Sequence, residues 1–243
     1  MATVQRHTLE VWGDFACFTR PEMKVERYSY PCPTPSAARG IFEAIYFKPQ
    51  FHWQVDRVEI LSEIAYIGLR RNETKEKINA PAVKKWMQGT KSPQPILADG
   101  DSEITGSAEK GRTQRQTMAL RNPRYRITAH IVPRPGYESQ QAAYDAQFVR
   151  RASQGKCFYQ PALGCREFVA FFKLLEDGAA APPPRDYTED LGWMVYDVFD
   201  LNRVNGRSAP PFISLFRAKI EHGVLEVPPF DSPEVRKPEL ANA

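Results

Sequence analysis

The chain has 243 residues, 42% hydrophobic and 26% charged, with a net charge of +4; this suits a soluble chain of one large or two small domains, with enough length for a real core. No apolar run approaches the roughly 18–20 residues that span a bilayer, and the opening MATVQRHTLEVWGDF has no apolar segment of the secretory kind. The four cysteines (Cys17, Cys32, Cys157, Cys165) lack paired CxxC spacing and the four histidines lack HxxxH or HxH spacing, so reduced thiols in a cytoplasmic protein are expected, with no disulfide framework, metal site or cofactor.

In chain order, Arg6–Cys17 (RHTLEVWGDFAC) reads as a first strand with Leu9 and Val11 on one side. Phe18–Pro33 is loop-like. A helix begins at Thr34-Pro35-Ser36, with Thr34 as N-cap and Pro35 at the first helical position. It runs to Tyr46 or Phe47, carrying Ala37, Ile41 and Ile45 on one stripe and Ala38, Phe42 and Tyr46 on the next. Pro49 stops it, because the residue before a proline is pushed towards extended geometry. Phe51–Leu61 alternates and is rich in aromatic and β-branched residues, so it is a second strand.

Glu63–Gly111 contains RRNE (Arg70–Glu73), a short helix at Ala82–Met87 and the linker-like ADGDSEITGSAEKG. Arg112–Leu120 and Tyr125–Val132 read as strands joined by the turn-forming RNPR. Gln140–Ser153 is a second helix closed by Gly155, and Cys165–Leu175 is a further strand. This order predicts an α+β fold with a ferredoxin-like βαββαβ unit over residues 1–180. After the proline-rich break AAAPPPRD, residues 181–243 are expected to form a small antiparallel β-sheet from Leu191–Phe199, Phe212–Glu221 and Val224–Val227, with a loose tail after Pro228.

The charge is uneven. Lys110–Lys156 holds ten Lys/Arg against two acids, a net +8, so the rest of the chain sums to −4. Such a segment fits either a polyanion partner or a solvated face. Ferredoxin-like sheets with basic and aromatic segments bind RNA, but no RNP1 pattern is present, which excludes an ordinary RNA recognition motif. Scission of RNA without a metal needs a base for the 2′-OH, an acid for the leaving 5′-oxygen and a cation for the phosphorane. Tyr46 reads two ways: a helix-end core aromatic, or a phenol whose pKa is lowered by Lys48 or by a cation of the basic segment. His130, in the alternating YRITAHIV, is the other candidate for proton transfer. Arg112, Arg115, Arg124 and Arg126 lie at spacings that can place several on one strand face, and Arg150, Arg151, Lys156 and Arg166 complete the candidate RNA contacts. Gly164, in PALGCRE, would permit close backbone approach to a phosphate.

Seven dispersed segments, WGDFACFTRPEMKVERYSY, PSAARGIFEAIYFKP, RRNE, RTQR, PALGCREF, DLGWM and SPEVR, together resemble one family. It is the type I-C CRISPR-associated pre-crRNA processing endoribonuclease (the fifth-subunit family, Dvulg subtype, of the RAMP superfamily). The resemblance implies metal-independent cutting of the CRISPR repeat RNA at the base of its stem-loop. It also implies retention on the crRNA 5′ handle, as a subunit of the interference complex that finds DNA targets, with double-stranded DNA a further candidate ligand. It implies a catalytic tyrosine in the pattern E-x-I-Y-aromatic-K-P, which is Tyr46 here. The family's Lys-His pair is replaced: counting back from Gly155, the matching positions are Ala143 and Tyr144. That departure leaves open an alternative reading as a non-catalytic RNA/DNA-binding subunit of the same complex.

Overall fold

The computed structural model describes residues 4–97, 102–176, 182–204 and 210–238. Its strands are β1 (Arg6–Trp12), β2 (Phe15–Ala16), β3 (Arg27–Tyr28), β4 (Phe51–Ile60), β5 (Tyr66–Thr74), β6 (Arg112–Arg121), β7 (Arg124–Pro133), β8 (Phe171–Leu175), β9 (Glu189–Asp197), β10 (Ser214–Glu221) and β11 (Val224–Glu226). Its α-helices are α1 (Pro35–Ile45), α2 (Ala80–Met87), α3 (Ser102–Thr105) and α4 (Gln141–Ser153).

Two compact units emerge, residues 1–67 with 119–243, and residues 68–118. In the first, seven strands form one antiparallel sheet in the order β8-β1-β7-β4-β11-β10-β9. Alternation fixes its register: Leu9 lies opposite Ile127 on one side and Leu174 on the other, and Val58 is also opposite Ile127. A one-residue slip would turn this apolar set to the other face.

Helices α1 and α4 cover one face. Thr34 caps α1 by accepting the Ala37 N–H at 3.2 Å, with Pro35 starting the first turn as expected. Phe42 of α1 and Phe148 of α4 meet Trp53 of β4 at 4.9 and 4.6 Å between ring centres. His7 of β1 packs on Phe148 and holds Asp145 of α4 at 2.7 Å. Buried polar groups need such partners, and this one locks α4 to the first strand.

The C-terminal strands are antiparallel, as expected, but they do not stand as a separate sheet. β11 pairs with β4 through Val224↔Glu59 and Leu225↔Val58, covering an edge that would otherwise expose unpaired backbone groups. The expected boundary at residue 180 lies outside the described residues. The β10–β11 turn is the predicted His222-Gly223, at φ 47° and 78°; a Cβ on Gly223 would sit 2.1 Å from the Arg185 carbonyl oxygen. Contrary to expectation, residues 229–238 are held by burial: Phe230 and Val235 are buried and Arg236 bridges Leu215; residues 239–243 lie outside the described residues. Arg39 of α1 reaches across to Asp197 of β9, with Nε and an Nη donating at 2.7 and 3.1 Å, and also donates to Glu43.

The strand expected over Cys165–Leu175 begins only at Phe171. The preceding residues turn back, with the Phe168 N–H on the Cys165 carbonyl and the Leu163 N–H on the Phe168 carbonyl. In the second unit β5 pairs with β6. β5 is a strand that the charged RRNE run concealed, since Arg70–Glu73 offers no apolar alternation. Of the expected linker, residues 98–101 lie outside the described residues, while Ser102–Thr105 forms α3.

Both partners of the Arg39–Asp197 pair are buried, and removing one leaves an uncompensated charge. Arg39→Ala is expected to cost about 3–5 kcal/mol in urea unfolding, and Arg39→Lys to recover only part of that, lacking the two-pronged fork.

Candidate active site

α1 ends without the glycine that commonly follows a helix. Tyr46 instead turns extended, at φ −151° and ψ 118°, and its N–H returns to the Phe42 carbonyl at 2.9 Å. The last carbonyls of the helix, which lack partners within it, are met from three elements. The Phe158 N–H donates to Ala44 at 2.7 Å, Arg151 Nε to Ile45 at 2.6 Å, and Trp53 Nε1 to Tyr46 at 2.9 Å. The backbone on both sides of the Tyr46 side chain is thereby fixed.

The Tyr46 ring lies 5.4 Å from Phe51, which lies 5.1 Å from Tyr144. Both tyrosines are 3% exposed. The Tyr144 hydroxyl donates to Gln140 Oε1 at 2.8 Å, whereas the Tyr46 hydroxyl has no hydrogen-bond partner among the described residues. Lys48 Nζ stands 5.7 Å from the Tyr144 ring centre, and the Arg151 guanidinium lies 4.0 Å from the Phe158 ring centre. Arg150 and Lys156 are exposed at the same end of α4, where Gly155 closes the helix at φ 65°.

The electrostatics differ from a cation-lowered phenol. Burial pushes the Tyr46 hydroxyl above its ordinary value, Tyr144 adds to the rise, and Arg151 opposes it without overcoming it. Burial also raises Tyr144. A phenol in this state is protonated at neutral pH, and its chemistry is that of a hydrogen-bond donor and acid.

The other candidates lie elsewhere. On β7, Tyr125, Ile127, Ala129 and Ile131 are buried, so Arg124, Arg126 and His130 project from the opposite face. His130 is therefore not brought to Tyr46; its Nδ1 meets the Asp56 carboxylate at 2.9 Å, and Asp56 also accepts from Arg6. Arg124 pairs with Glu10, and Arg126 with Glu59 at 3.2 Å and the Pro182 carbonyl at 2.6 Å. Arg112 and Arg115 belong to the unit of residues 68–118, where Arg115 lies 3.7 Å from Glu73. Arg166 is exposed on its loop. Gly164 makes a close backbone approach, but to protein: at φ 86°, a Cβ would lie 2.0 Å from the Cys17 carbonyl oxygen. The cap donors Trp53 and Phe158 were not apparent from sequence; the one available signal was that a buried indole N–H needs an acceptor. Among the described residues, no helix is long and apolar enough to cross a membrane.

Comparison with known proteins identifies relatives of the chain. Residues 8–228 match the profile of a family described as CRISPR-associated protein (Cas_Cas5). A "CRISPR pre-crRNA endoribonuclease Cas5d" of Mannheimia succiniciproducens is 40% identical, over 96% of this chain and 99% of its own. A protein of the same name from Thermus thermophilus is 37% identical, over 92% and 91%. Among solved structures, a functionally uncharacterized protein from Streptococcus mutans superposes with a TM-score of 0.61 at 18% identity, covering 96% of this chain and 97% of its own. A crystal structure of a CRISPR-associated protein superposes with a TM-score of 0.60 at 19% identity, covering 97% and 100%.

Because burial dominates, the Tyr46 phenol is expected to ionise only above the usual value of about 10. The ultraviolet titration difference between wild type and Tyr46→Phe should then show no phenolate lost below that pH.

Proposed function

The chain belongs to the CRISPR-associated Cas5 family, in its Cas5d branch, and from that premise we propose that it cuts precursor crRNA within the CRISPR repeat, with Tyr46 as the proton-transfer residue. The observation that carries this reading is the Tyr46 hydroxyl, without a hydrogen-bond partner among the described residues, at the end of a helix whose carbonyls are capped by α4, β4 and the Phe158 backbone.

The reaction needs no group beyond RNA, water and side chains. The ribose 2′-oxygen bonds to the adjacent phosphorus and its proton passes to water. The bond from phosphorus to the 5′-oxygen breaks, and Tyr46 gives its proton to that oxygen. The products are a 2′,3′-cyclic phosphate and a 5′-hydroxyl, and solvent returns a proton to Tyr46. Lys48 and Arg151 supply positive charge for the phosphorane. Arg150 and Lys156 extend the basic edge along the RNA backbone, an attachment that weakens as salt rises.

The strand order β8-β1-β7-β4, with α1 and α4 on one face, supports a ferredoxin-like unit within the larger sheet. β11, β10 and β9 extend that unit's sheet beyond β4. After cutting, the protein stays on the 5′ handle in the cytoplasm as a subunit of the type I-C interference complex, where double-stranded DNA is a second ligand for its basic surfaces. A non-catalytic RNA-binding role is the rival reading, favoured by Ala143 and Tyr144 standing where the family has a Lys-His pair.

In EDTA, wild type is expected to cut repeat RNA and Tyr46→Phe to be slower by about 10²–10⁴-fold, the range of a lost acid-base group. RNA with a single 2′-deoxy at the cut site should survive intact. Equal cutting by Tyr46→Phe would remove Tyr46 from the chemistry, and silence from wild type would leave the binding role.

A further inference from the structure

Beside the Tyr46 cluster lies a cavity of about 190 Å³ at the start of β4. Phe51 is its link to the site, since it lines the cavity and packs on Tyr46 at 5.4 Å. The mouth is framed by Phe47 and Phe199, which are 51% and 44% exposed. The Arg39 guanidinium lies 5.8 Å from the Phe199 ring centre; half-exposed aromatics at the rim of a cavity offer their remaining surface to a planar partner. A cavity of about 150 Å³ accepts benzene, so the volume here suits an aromatic ring.

The polar groups of the wall tell against a phosphate. Arg134 donates Nε to the Pro49 carbonyl at 2.9 Å and its two Nη atoms to the Leu201 and Arg203 carbonyls at 3.0 and 2.8 Å. Arg39 is committed to Asp197 and Glu43. Arg203, the third cation of the wall, pairs with Asp200 at 3.3 Å, so each of the three already has a protein partner. His52 is different: Nδ1 is buried without a partner, and its ring makes no hydrogen bond among the described residues. Burial first, then Arg134 and Arg39, holds it down at about 4. At neutral pH it is a neutral imidazole, with one donor and one acceptor nitrogen. Aromatic faces with a neutral donor and acceptor are the chemistry that recognises a splayed-out nucleobase.

We propose that this cavity is a base-recognition pocket, in which one unstacked base flanking the scissile phosphate stacks on Phe47 and Phe199 and meets the imidazole of His52. The pocket rests on the RNA-processing reading above and adds a source of sequence preference next to the cut. It leaves Tyr46 to the phosphate and gives Phe51 the task of setting the distance between base and phosphate.

The test reads binding without cleavage. Repeat RNA with a 2′-deoxy at the cut site carries a single abasic nucleotide, moved one position at a time across the flanking sequence. Its Kd is measured for wild type, Phe199→Ala and Phe47→Ala, whose half-exposed rings can be removed without opening the core. At one position the abasic nucleotide should weaken wild-type binding about tenfold. Phe199→Ala should weaken binding of the complete RNA by a similar factor and lose nothing further at that position. If abasic losses in both variants equal those of wild type at every position, the pocket is rejected, and the cleavage reading is untouched. If the coupling appears but wild type leaves all-ribose RNA uncut, the cleavage reading is rejected and the pocket stands as a binding site.

Discussion

Everything proposed for the site depends on how one helix ends. α1 has no glycine to reverse the chain, so its final carbonyls must be satisfied from outside. They are met by a backbone N–H from the segment after α4, a guanidinium from α4 and an indole from β4. That convergence fixes the first helix, the second helix and the sheet at one point, and Tyr46 is the residue there. Of the two readings that sequence gives Tyr46, the core aromatic agrees with a buried ring, whereas a phenol lowered by a cation does not agree with the rise that burial causes; the hydroxyl has no hydrogen-bond partner among the described residues. Arg151 is structural through Nε, and its charge bears on the phenol.

The strand alternation that builds the core also divides the charge. Between Lys110 and Lys156 the chain carries a net +8, but pleating sends Arg124, Arg126 and His130 to the face away from the helices, where Glu10, Glu59 and Asp56 meet them. Arg126 and Glu59 are largely buried, whereas the Arg124 side chain is more than half exposed; all three pairs temper the attraction of that face for a polyanion. Lys48 and Arg151 act on the phenols, Lys48 5.7 Å from the Tyr144 ring centre and Arg151 through its charge on Tyr46, and Arg150 and Lys156 are exposed at the same end of α4. Net charge thus suggests a polyanion partner, while the pleat decides which part of that charge serves the site.

Much of this was legible before the structure. Thr34-Pro35, the alternation of β4 and β7 and the glycine after α4 each carry a local physical signal, and each element formed where that signal put it. The resemblance pointed to Tyr46. Other features depend on long-range partners that no local pattern encodes. β5 is specified by pairing with β6 rather than by apolar alternation, the C-terminal strands are recruited by the open edge of β4, and residues 229–238 are held by the burial of Phe230 and Val235. At the site, the direction of the Tyr46 shift was misjudged for the same reason. Nearby cations can be counted in a sequence, whereas desolvation depends on what the fold stacks around the ring.

A protonated phenol held at a fixed place points to the step it should assist, protonation of the departing 5′-oxygen. The most direct test replaces that bridging oxygen with sulfur, a leaving group that needs no proton. Cleavage rates of this substrate and of ordinary repeat RNA would be compared for wild type and Tyr46→Phe. If Tyr46 is the acid, the variant's deficit on ordinary RNA should largely disappear on the sulfur substrate. If the deficit is equally large on both, Tyr46 does not protonate the leaving group, and the account of the site fails at its centre.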